Sequence, residues 1–129
     1  MFANFLVLLS KLTVGLIVLT LANSALADVQ LLDSFPQQSS KLSSSVTDVR
    51  VWFDQEPLPE GSELLLVHKG EEIPVIAVHS MGEKDLMGFV QQPTPPGRYQ
   101  LVWRVLTATS EQAQSGRIDF EIIAVGAEQ

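Results

Sequence analysis

The side chains best suited to hold a soft metal ion are concentrated in VHSMGEKDLMGF, residues 78–89. This stretch contains His79, Met81 and Met87, and the chain has no cysteine. Imidazole nitrogen and thioether sulfur both accept Cu(I), so a His-x-Met pair in a turn, with a second Met on the next strand, is a candidate Cu(I) site. The alternative is a solvated turn histidine with methionines that fill gaps in the core. The other histidine, His68, precedes a Lys-Gly turn and is expected at the surface.

Patterns that carry catalysis are missing from the sequence. There is no Gly-x-Ser-x-Gly elbow, and only two histidines are present to act as a base. There is also no phosphate-cradling glycine loop and no zinc-type ligand spacing. Carboxylates at predicted turns and hairpin ends are expected to form a solvated rim: Glu56, Glu60, Glu63, Glu71 and Glu72. We therefore expect a protein that is not an enzyme.

Short apolar stretches separated by turn signals must position these residues. Strands are predicted in VRVWF, ELLLVH, EEIPVIAV, DLMGFV, RYQLVWRVL and GRIDFEIIAV, with a hairpin turn at Lys69-Gly70. No stretch has a sustained 3.6-residue period, and the Ser-rich residues 37–48 are expected to be an inter-strand loop. About seven short strands at this spacing predict an all-β fold, a small antiparallel β-sandwich.

The alternation also predicts where the tryptophans and one arginine point. Trp103 shares the apolar face of its strand with Tyr99 and is expected to pack between the sheets. Arg104 points the opposite way, and we expect it to pair with a carboxylate such as Asp119 on the neighbouring strand. Trp52 lies on the polar face of its strand, where an exposed tryptophan is a candidate anchor for a partner.

The first 27 residues are typical of a cleavable secretory signal. They contain one charge, Lys11, then an apolar run over 12–22 and the small-residue site Ala25-Leu26-Ala27. The alternative is an uncleaved membrane anchor, which would place Lys11 near the middle of the bilayer at high cost. We expect cleavage after Ala27, which gives a signal peptide of residues 1–27 and one domain of residues 28–129.

The charge balance excludes one class of partner. Without Lys11 the chain carries 7 basic and 15 acidic residues, a net charge of −8. Nucleic-acid binding is not expected, because phosphate recognition needs Lys and Arg to displace counterions. With no cysteine, an exported chain has no disulfide, so its stability must come from the packed core.

Three segments of the predicted domain resemble the CopC-type periplasmic copper-resistance proteins. The stretch GRYQLVWRVLTATSEQAQSGRIDFEI is similar to the family's C-terminal signature, with Gly97, Tyr99, Trp103, Arg104 and Gly116 in register. LLDSFPQQSSKL resembles the family's opening strand with its Ser-x-Pro turn, and VRVWFDQEPL resembles the second strand. The resemblance implies a Greek-key, immunoglobulin-like β-sandwich, a periplasmic location and a role in binding or shuttling copper.

The resemblance also implies a Cu(II) site, and this chain differs from the family at each ligand. The family uses a histidine at the mature N-terminus with its α-amine, and an aspartate and a histidine in the loop after the Trp-Arg strand. Here the matching positions are Asp28, Thr109 and either Glu111 or Gln112, because the loop is one residue longer. Asp28 and Glu111 supply oxygen donors that suit Ca²⁺ or Mn²⁺ better than copper. The family's methionine-rich Cu(I) loop matches residues 68–74, which contain no methionine.

We therefore expect a periplasmic copper carrier or copper-homeostasis accessory protein with a weak or relocated copper site. The candidate metal ligands are Asp28, Glu111, His79, Met81 and Met87. The expected partners are a copper ion and an envelope-membrane or copper-transport protein, and the chain is expected to be a monomer. The alternative is a metal-free interaction module that docks on a cell-envelope partner, and a third hypothesis is an accessory domain for an unknown ligand.

Overall fold

The computed structural model describes residues 28–110 and 112–124 and contains eight strands. The predicted signal segment, residues 1–27, lies outside the described residues. A short 3-10 helix, Pro59–Gly61, follows the third strand. The strands are β1 Leu31–Phe35, β2 Ser40–Leu42, β3 Asp48–Phe53, β4 Glu63–His68, β5 Glu71–His79, β6 Asp85–Val90, β7 Gly97–Val105 and β8 Gln114–Ile122.

The extra strand is β2, which forms inside the Ser-rich segment that we expected to be a loop. Ser40, Lys41 and Leu42 pair in parallel with Phe120, Glu121 and Ile122 of β8. Three residues are too few for alternation to be visible in the sequence, so this pairing depends on the position of β8. The expectation of an all-β sandwich is confirmed, with one more strand than the predicted seven.

The strands form one continuous ladder in the order β1-β3-β6-β5-β4-β7-β8-β2, and β5 divides it into two layers. The first half of β5 pairs with β4 and its second half pairs with β6. We call β1, β3, β6 and residues 75–79 sheet 1, and residues 71–74, β4, β7, β8 and β2 sheet 2. All pairs except β2–β8 are antiparallel.

The core lies between the two sheets, as the alternation predicts. Trp103 is 8% exposed, and its ring meets that of Phe53 edge to face at 5.2 Å between centroids. Tyr99 is also buried and donates its hydroxyl hydrogen to the carbonyl of Pro95. Burial of each large apolar side chain of this kind contributes about 1.5–3 kcal/mol, so the core supplies the stability that disulfides do not.

Two local backbone conformations set the start and the register of β5. Lys69 and Gly70 both have positive φ, 53° and 77°, which suits the two-residue turn of a tight hairpin and confirms the predicted β4–β5 connection. Further along, Ala77 has φ 55°, and the β5–β6 register shifts between Ile76 and His79. This bulge determines which residue of β6 faces His79.

The predicted pairing of Arg104 with Asp119 is wrong. Arg104 lies opposite Glu63 on β4 and Ser115 on β8, whereas Asp119 lies opposite Gln100. The Arg104 guanidinium instead lies 3.9 Å from the Glu63 carboxylate. Within residues 28–110 and 112–124, no helix is long and apolar enough to cross a bilayer.

Candidate metal centre

The β5–β6 register places two of the predicted soft ligands side by side. His79 is the direct cross-strand partner of Met87. Directly opposed residues of an antiparallel pair point to the same face, with Cβ atoms about 5 Å apart. The sequence predicted His79 in a turn and Met87 on the next strand. The structure places His79 at the end of β5, and the bulge at Ala77 and Val78 sets its alignment with Met87. The imidazole and the thioether therefore lie on the outer face of sheet 1.

Hydrogen bonding fixes which nitrogen of His79 is available to a metal. Nδ1 lies 2.7 Å from the carbonyl oxygen of Ala77. A carbonyl oxygen can only accept, so Nδ1 carries the hydrogen and the neutral ring presents its lone pair at Nε2. The ring also stacks against Phe89, with centroids 6.2 Å apart. Metal-binding histidines commonly have a hydrogen-bond partner at the ring nitrogen that does not bind the metal. This partner holds the tautomer and the ring orientation.

Met81 lies two residues beyond His79, in a loop organised by a buried carboxylate. The Asp85 side chain is fully buried. Its Oδ1 accepts hydrogen bonds from the backbone N–H of Met81 and Glu83, at 3.0 and 3.1 Å, and from the Ser80 hydroxyl at 3.1 Å. The backbone of Met81 is thus fixed while its side chain is 59% exposed.

Arg50 completes the environment of Asp85. Its Nε donates to Asp85 Oδ2 at 2.9 Å, and its Nη2 lies 2.9 Å from the same oxygen and 3.1 Å from Glu83 Oε2. Burial of the Asp85 carboxyl raises its pKa, but the bonds from Glu83, Met81, Ser80 and Arg50 outweigh burial and lower the pKa below 3.8. Asp85 is therefore ionised and fully bonded at neutral pH, and it is a structural anchor rather than a free ligand.

At the same end of the sandwich as this loop, the residues at the positions that the resemblance implies for Cu(II) ligands are hydrogen-bonded to amide groups. The exposed Asp28 carboxylate accepts from Gln114 Nε2 at 3.0 Å, and Gln114 Oε1 accepts from the Val29 N–H at 2.6 Å. Gln55 joins the Asp28 carbonyl to the Thr109 hydroxyl through two contacts of 3.4 Å. These polar groups therefore bond to one another and connect Asp28 to β8 and to the loop of Thr109.

The remaining predicted ligand there, Glu111, lies outside the described residues. Gln112, the alternative position, is exposed. Asp28 borders an open groove of about 380 Å³, lined by Asp28, Val29, Gln30, Trp103, Gln114 and Ser115. In the part of the chain that the structure describes, no three His, Cys, Asp or Glu side chains are close enough to hold a metal ion together.

His68 has a different environment from His79. It is half-buried at the hairpin end of β4, and its ring stacks on Tyr99 at 4.2 Å between centroids. Its Nδ1 bonds to the Arg98 carbonyl at 2.9 Å, and its ring fills the space beside Gly97. His68 thus packs on the sandwich rather than lying freely on the surface, and it has no methionine partner across the ladder.

Sequence reasoning missed the roles of Asp85 and Arg50. Asp85 follows Gly82, Glu83 and Lys84, where an acidic residue is expected to be solvated. Two signals pointed to burial. Asp85 begins an apolar strand, and Ser80, five residues earlier, can donate its hydroxyl hydrogen to the Asp85 carboxylate across the loop.

Comparison with known families decides where the chain belongs. The CopC domain model matches residues 31–123, nearly the whole described structure. The chain belongs to the CopC domain family. No curated protein matches it.

Two solved structures share the fold. PcoC from Escherichia coli, described as a methionine-rich copper resistance protein, is 21% identical, with a TM-score of 0.62 over 74% of this chain and 99% of that one. CopC from Methylosinus trichosporium OB3b is 16% identical, with a TM-score of 0.67 over 76% and 96%. These similarities confirm the CopC-like sandwich that the sequence segments predicted.

Proposed function

We propose that this CopC domain protein is an exported, periplasmic copper carrier that holds Cu(I) at His79 and Met87, with Met81 as a third ligand. The observation that carries the proposal is the direct pairing of His79 with Met87, together with the bond that leaves Nε2 free to coordinate. The family membership and the copper-resistance proteins with the same fold support a copper cargo. A carrier needs no catalytic group, so we propose a protein that is not an enzyme.

The donor set favours Cu(I) over Cu(II). Thioether sulfur is a soft donor that selects Cu(I), and imidazole nitrogen accepts either oxidation state. His79 and Met87 are fixed on a rigid sheet, whereas Met81 extends from a loop with an exposed side chain. Two fixed ligands and one movable ligand suit a carrier, because the movable ligand can close on the ion and open again.

The residues around Asp28 support weak Cu(II) binding at most. The Asp28 carboxylate is engaged by Gln114, and Thr109 is engaged by Gln55. An incoming ion would have to break these bonds and would then meet oxygen and amide donors, which Cu(II) binds less tightly than imidazole and amine nitrogens. Asp28 and Glu111 remain candidate ligands for this weaker site.

The test is a competition titration of the protein exported with its own leader and purified from the periplasm. Mass spectrometry of this material locates the cleavage site predicted after Ala27. Cu(I) is then titrated anaerobically against a chromogenic chelator, for wild type and for Met87→Leu, His79→Gln and Met81→Leu. His68→Gln is the matched control, because His68 makes the same kind of Nδ1–carbonyl bond without a methionine partner.

We expect stoichiometric Cu(I) binding by the wild type. His79→Gln or Met87→Leu should weaken Cu(I) binding at least about tenfold. Loss of a hydrogen-bond partner of a metal ligand already costs about that much, and these variants remove the ligand itself. Met81→Leu should have a smaller effect, and His68→Gln should match the wild type. If wild type fails to compete with the chelator, or if the His79 and Met87 variants bind like wild type, this site is refuted and the metal-free interaction module becomes the better hypothesis.

A further inference from the structure

Exposed apolar side chains are gathered on one side of the molecule. Among the described residues, six large apolar side chains are 38–66% exposed. Leu58 lies apart from the others, before the 3-10 helix. The other five lie on the outer face of sheet 1, on its edge strand or in its adjoining loop: Leu32, Phe35, Ile76, Met81 and Phe89.

The strand register makes these residues neighbours. Ile76 lies directly opposite Phe89, and both are exposed. In the next row Arg50 lies between Phe35 on β1 and Met87 on β6, and Met87 lies opposite His79. We call Phe35, Ile76, His79, Met87 and Phe89 the apolar face. Arg50 divides this face between β1 and β6, and exposed apolar side chains gathered on one face commonly mark an interaction site.

The border of the apolar face is acidic. Asp33 and Asp48 point outward from β1 and β3, opposite Trp52 and Phe89. Arg50, at the centre, is neutralised by Asp85 and Glu83. Among the described residues of this face and its adjoining loop, the other cation is the exposed Lys84.

Glu56 adds a further acid at this border. It reaches the same loop through the Ser80 hydroxyl at 3.2 Å. Acidic groups therefore outnumber basic ones around the apolar centre.

We propose that the apolar face docks a partner protein whose contact surface is apolar at its centre and cationic at its rim. A second copy of this chain fits poorly, because face-to-face packing would bring two acidic borders together. An anionic membrane surface fits poorly for the same reason. A strand-based face is rigid before binding, so little conformational entropy is lost when a partner docks.

Docking would cover His79 and Met87, which lie within the apolar face. A docked partner that carries soft ligands of its own would then receive Cu(I) directly, without release of the ion to solvent. This role of the partner rests on the proposed function, whereas docking itself requires no metal. The experiment is therefore run on the metal-free protein.

The probe is a synthetic amphipathic helical peptide of leucine and lysine, whose binding to the full exported protein is followed by fluorescence anisotropy. The variants are Phe35→Ser, Phe89→Ser and the double variant, with Leu58→Ser as a matched control for loss of an exposed apolar side chain elsewhere. We expect the double variant to weaken binding at least about tenfold, as expected for loss of an interface anchor. Leu58→Ser should bind like wild type.

A second arm tests the charge requirement. Asp33→Asn with Asp48→Asn should weaken binding of the leucine–lysine peptide and reduce its dependence on salt, since these carboxylates form the border. A peptide of leucine and glutamate should not bind. Equal binding of the two peptides, or an equal loss in Leu58→Ser, overturns the proposal.

Two further results would also overturn it. One is a dimer in sedimentation velocity that Phe89→Ser abolishes, and the other is binding to anionic vesicles through the same residues. Phe35→Ser separates docking from copper binding, because Phe35 lies in the apolar face but is not a proposed copper ligand. We expect this variant to bind Cu(I) like wild type and to bind the peptide less tightly, so a failure of the copper site leaves docking standing and a failure of docking leaves the copper site standing.

Discussion

The two outer faces of this sandwich differ in the kind of side chain they expose and in how their charged side chains are paired. On sheet 1, exposed aromatic and aliphatic side chains surround Arg50, which is held at 2.9 Å by the fully buried Asp85. On sheet 2, the most direct ion pair is Arg104 with Glu63, at 3.9 Å and with both side chains more than half exposed. A shallow groove of about 620 Å³ on that side mixes both signs of charge: Lys41, Lys69, Arg98, Asp119 and Glu121.

The difference shows that the same alternation can produce two kinds of surface. Inward positions are apolar in both sheets, so both contribute to one core. Outward positions on sheet 2 are mostly charged or polar and suit solvent, whereas those on sheet 1 include Ile76, Met87 and Phe89. Sheet 1 also has a fixed internal charge network that sheet 2 lacks within the described residues. Sheet 1 therefore carries the features on which both the proposed copper site and the proposed docking face rest.

The largest effect is expected from Asp85→Ala, which removes the anchor of sheet 1. The variant leaves the partly buried Arg50 and three loop donors without their acceptor, so unfolding free energy should fall by about 3 kcal/mol. Urea denaturation measures the change. Asp85→Asn is the control, because it keeps an oxygen for the three donors at Oδ1 and should lose less. Equal losses in the two variants would contradict the bonding pattern described for the loop.

The acid sensitivity of the protein should depend on the same residue. Because the pKa of Asp85 is lowered in the native state, the unfolded chain binds a proton below about pH 4 that the native chain does not. Unfolding free energy therefore falls as pH falls through that range, and the contribution is fully present above it. Asp85→Asn should flatten this slope in denaturation curves between pH 5 and pH 2. An unchanged slope would mean that other carboxylates cause the acid sensitivity.

A smaller effect is expected from substitution of Trp52. The Arg50 guanidinium lies over the Trp52 ring, 4.5 Å from the ring centroid. Trp52→Leu keeps apolar bulk but removes the π face, and it should cost about 1 kcal/mol. Trp52→Phe retains a ring and should cost less. A double-mutant cycle with Arg50→Lys isolates the coupling between the two side chains. A coupling near zero would show that Arg50 is held by the carboxylates alone.

The smallest effect is expected on sheet 2. Arg104→Ala removes one half of an exposed ion pair, so unfolding free energy should change by less than about 0.5 kcal/mol. Glu63→Ala should behave in the same way. Thermal denaturation at low and high salt measures both. A loss comparable to that of Asp85→Ala would remove the distinction between the two faces.

Much of the fold could be predicted from the sequence because it depends on local patterns. The period-two alternation of β7 correctly placed Tyr99 and Trp103 in the core, and the Lys69-Gly70 turn joined the predicted strands. Strand β2 could not be predicted, since its three residues acquire strand structure by pairing with β8, far along the chain. Arg104 was assigned the wrong partner for a related reason. Alternation gives the face of a residue but not the register that selects its neighbour.

The candidate site divides in the same way. The side chains of His79, Met81 and Met87 are visible in the sequence as soft-ligand types, and so is the difference at Asp28 and Thr109 from the Cu(II) ligands that the resemblance implies. The bulge at Ala77 decides that His79 faces Met87, and neither its positive φ nor its position has a glycine signal in the sequence.

The sequence by itself determined the fold family, the two faces of each main strand and the set of side chains available for soft-metal chemistry. Only the tertiary structure decided that Asp85 is a buried anchor for the loop of Met81, that Arg50 closes over it, and that the exposed apolar residues share one face. The physical reason is that these outcomes depend on pairing between strands distant along the chain. Backbone hydrogen bonds and the exclusion of water set that pairing only when the two sheets close on their common core.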